Sequence, residues 1–214
     1  MTLQKLGAIG AVLQAVEAVI VGVLVFYLVP SIGVTLNDFG NPDKILPVAD
    51  HLYLKINSLT TVLFSGTSVI VVLGLYDYMK GEPRALLAPA LAAAVIASAL
   101  LLAKGFFGLA SGQTYAALYA TNKALAISAL PATQLIIHAT QNAAFFAGGV
   151  AAFLYALAGL QTKKLPAILC YLLIAGAIVA VLYFFVVVVR FVQLPLTFVS
   201  TGWLGAYMWR AAKG

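Results

Sequence analysis

Runs of about twenty apolar residues, nearly free of charge, recur along this chain and constrain what it can fold into. The first run, from Leu6 to Val29, holds a single charged residue, Glu17. A helix needs about 20 such residues to cross the hydrocarbon core of a bilayer. Only 8% of the 214 residues are charged, whereas a soluble domain has about 25%. The chain is therefore predicted to be an all-α, polytopic transmembrane helical bundle.

About six spans would use nearly the whole length, so residues 1–214 are expected to form a single membrane-embedded helical domain. Span ends are assigned where an apolar run meets proline, glycine or charge. The predicted spans are Leu6–Val29, Asp50–Tyr78, Leu86–Phe107, Thr133–Leu160 and two more within Leu165–Trp209. Gly81–Arg84 is predicted to be a tight turn, and the last two spans are expected to reverse near Arg190–Pro195.

Interfacial helices are expected in the two long loops of the outer face. In the first loop, Asn41 and Pro42 indicate a helix start, because asparagine caps a helix and proline fits its first turn. Asp50 is expected to cap the second span. The second segment, Ser111–Leu130, has a helical composition but is too polar for a good span. It is predicted to be an interfacial or re-entrant helix that ends at Pro131.

Basic residues predict the orientation, because cytoplasmic loops of membrane proteins are enriched in lysine and arginine. With the N-terminus inside, the inner face would hold Lys5, Lys80, Arg84, Lys163, Lys164, Arg210 and Lys213. The outer face would hold Lys44, Lys55, Lys104, Lys123 and Arg190. Both termini are thus expected in the cytoplasm. The basic residues form no stripe or arm, so nucleic acid is not an expected partner.

Several short motifs resemble those of a family of small prokaryotic six-span membrane proteins known only as a domain of unknown function. They are Asn41-Pro42-Asp43, Gly74-Leu75-Tyr76-Asp77-Tyr78-Met79-Lys80, Gln141-Asn142 with Gly148-Gly149-Val150, Lys164-Leu165-Pro166, and Gly202-Trp203-Leu204-Gly205 with Trp209-Arg210. The resemblance covers the whole chain. It implies six helices and the cell membrane of a bacterium or archaeon, and it supplies no activity, cofactor or catalytic residue.

Glu17 is the clearest candidate for a functional group within the membrane. A carboxyl group at the centre of a span costs about 2.5–3.5 kcal/mol to insert, so it is expected to face the bundle interior or water. Gln14 lies one turn earlier on the same helical face. Glu17 could lock the first span to its neighbours, or it could bind a proton or cation. Both interpretations remain open.

Two other spans carry polar stripes at helical spacing. The stripe of the second span is Asn57, Thr61, Ser65 and Ser68, and that of the fourth span is Gln134, His138, Gln141 and Asn142. Together with Glu17, they could line a cavity that opens outwards. Hydroxyl and amide side chains also serve to hold neighbouring helices together, so each stripe has a packing interpretation as well.

Cofactor and metal sites are not expected. His51 and His138 are the only histidines and would make weak haem ligands, because His51 lies at or outside the end of its span. Asp77 lacks the second carboxylate of an aspartyl dyad on its side of the bilayer. The single cysteine, Cys170, argues against a thiolate metal site. The sequence contains no catalytic motif, and no enzymatic activity is expected.

Two functions from different classes follow from these observations. The sequence favours a non-catalytic, structural or accessory subunit that contacts the lipid bilayer and other membrane proteins or further copies of itself. The alternative is a small transporter or a solute- or proton-binding membrane protein that uses Glu17 and the polar faces of the second and fourth spans. A haem-bearing electron carrier is a distant third.

Overall fold

The computed structural model describes residues 1–35, 38, 41–80, 84–183 and 190–212, and every regular element in these ranges is helical. The helices are α1 (Leu3–Ser31), α2 (Pro42–Ile45), α3 (Leu52–Met79), α4 (Arg84–Thr121), α5 (Lys123–Thr162), α6 (Ala167–Leu182) and α7 (Arg190–Ala211). Four of these described helices, α1, α3, α4 and α5, have stretches long and apolar enough to cross a membrane. The all-α prediction is confirmed for the described ranges.

The six long helices of the described chain pack in a closed ring. Each contacts its neighbours in sequence, from α3 to α7, and α1 closes the ring because it packs against both α3 and α7. The ring has two ends. The Lys164 end holds the connection from α5 to α6, and the Asn122 end holds the connection from α4 to α5.

Small residues allow α1 to fit between two helices. A side-chain carbon added to Gly7 would lie 2.7 Å from the Cα of Gly74 in α3, so the two backbones touch. On the other side, a carbon added to Gly205 of α7 would lie 2.9 Å from the carbonyl oxygen of Ala8. Such small-residue contacts let apolar helices gain dispersion energy where no hydrophobic effect drives them together.

Residues Ser111–Leu130 do not form a separate interfacial or re-entrant helix that ends at Pro131, so that prediction is wrong, and Pro131 lies inside α5. Helix α4 continues to Thr121, and α5 begins at Lys123 after a single intervening residue. That residue, Asn122, caps α5 by accepting a hydrogen bond from the Leu125 N–H at 3.1 Å. The segment is the turn of a long helical hairpin.

Contacts within the hairpin explain why the segment stays helical despite its polar residues. Tyr115 donates its hydroxyl hydrogen to the Ala129 carbonyl at 2.9 Å, which joins α4 to α5. Leu46, in the 3-10 turn that follows α2, packs against Tyr115, Ala126 and Leu130. Tertiary packing therefore decides the conformation where local composition was ambiguous.

The other predicted helix boundaries differ less from those in the structure. Asn41 caps α2 through the Asp43 N–H, as predicted. His51, rather than Asp50, caps α3. Helix α7 already begins at Arg190, so Arg190–Pro195 is not the reversal between the last two helices. The predicted turn at residues 81–83 lies outside the described residues.

At the Lys164 end, one carbonyl joins three elements. The hydroxyls of Tyr78 in α3 and Tyr207 in α7 both donate to the Lys164 carbonyl oxygen, each at 2.9 Å. This carbonyl belongs to the turn between α5 and α6. The two tyrosine side chains therefore tie the ring together across its interior at this end.

The contact between α1 and α3 predicts that two glycine substitutions in α3 will affect thermal stability differently. Gly74→Ala places a methyl group 2.5 Å from the Gly7 Cα and should lower the thermal unfolding temperature of the purified protein. Gly66→Ala meets nothing within 4 Å and should not lower it, because alanine is the better helix former. Equal destabilisation by both substitutions would contradict the role of the close approach.

Candidate functional site

A cavity of about 390 Å³ lies within the ring, towards the Asn122 end. Helices α1, α3, α4, α5 and α7 all contribute to its wall, as does Tyr183, which directly follows α6. Its volume falls within the range of about 300–1,000 Å³ that is usual for small-molecule sites. Most of the wall is apolar, with separate polar groups on several helices.

Four of the eight site residues predicted from the sequence line this cavity. They are Asn57 and Thr61 of α3 and His138 and Gln141 of α5. The spacing of four in α3 and of three in α5 keeps each pair on one helical face. Gln134 of α5, also part of the predicted stripe, lines the same cavity. The two stripes meet in this cavity over part of their length.

The other polar stripe residues join helices outside the cavity wall. Ser65 is buried and donates to the Ser98 carbonyl of α4 at 2.6 Å. Ser68 accepts a hydrogen bond from the Gln14 side chain of α1. Asn142 is half-buried, next to Gln141, and does not line the cavity. For Ser65, Ser68 and Gln14, the structure therefore favours the packing interpretation.

Glu17 lies outside the cavity, near its deepest part. Its neighbour Ala18 lines the wall, whereas Glu17 accepts a hydrogen bond from the Thr67 hydroxyl of α3 at 3.0 Å. The side chain is 8% exposed. Glu17 thus has a polar partner on the second long helix, which is the placement that its insertion cost predicts.

A π-helical turn brings the end of α1 against the cavity. It spans Leu24–Leu28, and Val25 and Phe26 within it line the wall. A π turn inserts one extra residue into an α-helix and shifts the side chains that follow, and such turns are frequent at functional sites. The sequence held one signal, because Pro30, two residues beyond this turn, lacks the N–H that would bond to the Phe26 carbonyl in a regular α-helix.

Sequence reasoning missed several polar residues of the wall, among them Lys104, Tyr115 and Gln193. Lys104 was assigned to the outer end of a span, yet it lies well inside α4. A lysine between Leu100-Leu101-Leu102-Ala103 and Gly105-Phe106-Phe107 was itself the signal, because a charge within an apolar helix usually faces a cavity. The Gln193 side-chain oxygen is buried and has no hydrogen-bond partner among the described residues.

The two histidines have different surroundings. His51 accepts a hydrogen bond from the Tyr53 N–H through Nδ1 at 3.3 Å and does not line the cavity, whereas His138 does. Within the described ranges, no three His, Cys, Asp or Glu side chains are grouped so that they could hold a metal ion. Because Nδ1 accepts this hydrogen bond, the neutral ring carries its hydrogen on Nε2, which weakens the case for that residue as a haem ligand.

Ion pairs surround the Asn122 end of the ring. Lys55 pairs with Asp50 at 2.7 Å, and Lys123 pairs with Asp43 at 3.3 Å. Hydrogen bonds from the Thr35 N–H and hydroxyl hold the pKa of Asp38 below its usual range. These contacts fasten the chain between α1 and α3 over this end, since Lys123 belongs to α5.

The fold is that of an all-α protein with several helices fit to span a membrane, arranged around a partly polar cavity. Searches against protein-family models, curated proteins and solved structures each found no match. The resemblance to a prokaryotic six-span family therefore stays a prediction, and the cavity itself must carry the functional argument.

The hydrogen bond between Thr67 and Glu17 can be tested with a matched pair of threonines. Thr67→Val removes the donor and should destabilise the purified protein by about 0.5–1 kcal/mol in thermal or chemical unfolding. Thr140→Val is the control, because the Thr140 hydroxyl donates to a carbonyl of its own helix. Glu17→Gln keeps an acceptor and should unfold like the unchanged protein. Equal losses at Thr67 and Thr140 would contradict a contribution from Glu17.

Proposed function

We propose that this chain is a six-span protein of a prokaryotic cell membrane that binds a small solute in the cavity between its helices. Helices α6 and α7 supply the fifth and sixth spans of this proposal. The single observation that carries it is the convergence of polar side chains from different helices, Asn57, Thr61, His138 and Gln141 among them, on one cavity. Gln141 also donates to the Tyr183 hydroxyl at 2.7 Å, and Thr61 donates to the Asn57 carbonyl of its own helix at 3.0 Å. All four side chains nevertheless border the cavity, whereas Ser65 is buried in a helix contact away from it.

The distribution of charge supports a position for the ring in the bilayer. Basic residues gather at the Lys164 end, which is the cytoplasmic end in this proposal. About 20 residues of helix cross the hydrocarbon core, and that distance along α4 from Arg84 reaches Lys104. Exposed Phe106 and Phe107 extend the apolar surface slightly further. The cavity would thus lie at the outer boundary of the hydrocarbon core.

The Gln193 side-chain oxygen, which has no partner within the described part of the chain, also supports a polar occupant. A buried acceptor without a partner costs about 1–3 kcal/mol, and native proteins rarely leave one unsatisfied. The described residues offer this oxygen no donor. Water or a solute hydroxyl in the cavity would satisfy it.

The accessory-subunit interpretation, which the sequence favours, rests on the lack of recognised motifs. It gains nothing specific from the geometry, because exposed apolar side chains are also what lipid requires. Water access to the cavity distinguishes the two functions, since a packing subunit has no need for a wetted interior.

Water access can be measured with two cysteine variants two residues apart in α3. In a Cys170→Ala background, Thr61→Cys should react with a charged methanethiosulfonate at least tenfold faster than Leu63→Cys. Thr61 lines the cavity, whereas Leu63 is 54% exposed on the ring's outer surface, where this proposal has lipid. Equal, slow reaction at both positions would overturn solute binding and favour the accessory role.

Orientation is tested by the same chemistry on whole cells. A membrane-impermeant reagent should modify Asn41→Cys, at the Asn122 end, and spare Thr162→Cys, at the Lys164 end. Asn41 and Thr162 lie outside and inside, respectively, when both termini are cytoplasmic. Modification of Thr162→Cys alone would reverse the proposed orientation.

A further inference from the structure

The cavity wall carries charge of one sign. Lys55 and Lys104 line it, and no aspartate or glutamate belongs to the described residues of the wall. A cleft with low-dielectric surroundings and charges of one sign concentrates counter-ions of the opposite sign. The wall therefore favours negatively charged solutes over positively charged ones.

Nearby acidic side chains are engaged elsewhere. Asp50 lies next to the rim and forms an ion pair with Lys55, which offsets that charge. Glu17 accepts its hydrogen bond from Thr67 outside the wall. Lys104 is the lysine of the described wall that lies within a long helix, away from the rim.

The position of Lys104 follows from the packing of α4 on α3. The next residue, Gly105, approaches so closely that an added carbon would lie 2.6 Å from Val62 and 3.1 Å from the Ser58 carbonyl oxygen. This contact sets Lys104 at the level of Thr61, which also lines the cavity. The backbone of Lys104 and the polar stripe of α3 thus share one level of the ring.

Aromatic and aliphatic side chains cover the deeper part of the same wall. Phe64, Leu101 and Phe145 line the cavity on α3, α4 and α5, and Val21 lines it on α1. A purely inorganic anion would leave this apolar surface without contact. An organic anion with a hydrocarbon portion would satisfy both parts, in the usual manner of ligand sites with few polar anchors.

We propose that the cavity binds a small amphipathic organic anion, with its carboxylate near Lys104 and its hydrocarbon portion against the aromatic wall. This ligand class rests on the proposed solute-binding function and narrows it. Lys104 would act as the charge-specific anchor, because an ammonium group attracts a carboxylate far more strongly in a weakly polar cavity than in water.

Three probes that share the same hydrocarbon chain and differ in their head group separate the effect of the charge from that of the tail. Binding of radiolabelled decanoate, 1-decanol and decylamine is measured on the full-length protein in dodecyl maltoside. Decanoate should bind at least tenfold more tightly than decanol, and decylamine most weakly. Lys104→Gln should weaken decanoate binding about tenfold and leave decanol unchanged.

Two further variants serve as controls. Lys123→Gln removes a lysine that pairs with Asp43 outside the cavity wall and should change none of the affinities. Thr61→Trp fills the cavity and should weaken decanoate and decanol together. Loss of decanoate binding in both lysine variants would show a general charge effect and overturn the assignment to Lys104.

The outcomes distinguish the ligand class from the underlying function. Equal binding of decanoate and decanol, unchanged in Lys104→Gln but lost in Thr61→Trp, would overturn the anion and keep the binding cavity. Tighter binding of decylamine would likewise overturn it. If no probe binds more than it does in detergent without protein, the anion proposal fails. The reactivity of Thr61→Cys then decides whether the proposed solute binding fails as well.

Discussion

The close fit of α1 between α3 and α7 is the contact on which the ring depends. Every other helix packs against its neighbours in sequence, so short connections alone bring those pairs together. Helix α1 joins the beginning of the chain to its end. Its Gly7 packs against Gly74 of α3, and its Ala8 packs against Gly205 of α7. Without this seam the cavity would lack the wall that α1 supplies.

The hairpin of α4 and α5 shapes the other end. These helices have 38 and 40 residues, or about 57 and 60 Å at 1.5 Å per residue, which exceeds a hydrocarbon core of about 30 Å. Their additional turns pack on Leu46 and cover the cavity from the Asn122 end. The length of this pair, rather than a separate domain, provides the cover.

Much of the architecture could be predicted from hydropathy, because apolar runs bounded by proline and charge identify helices well in a chain with so few charged residues. The stripe of Asn57 and Thr61 was visible for the same reason, since helical spacing fixes which side chains share a face. Local composition could not reveal that Ser111–Leu130 continues two helices. Nor could it place Lys104, whose surroundings depend on where α4 contacts α3. Periodicity likewise could not show that Ser65 turns towards α4, because the outcome depends on the angle between two helices.

The tyrosine pair at the Lys164 end has a consequence for how this protein can vary. Both hydroxyls donate to a main-chain oxygen, and a carbonyl has two lone pairs to accept them. Any amino acid at position 164 would supply that same oxygen, so this junction itself does not require a lysine there. The requirement for a particular residue falls on Tyr78 and Tyr207 alone. A reader of aligned sequences would see two distant tyrosines retained together and no third position to explain them.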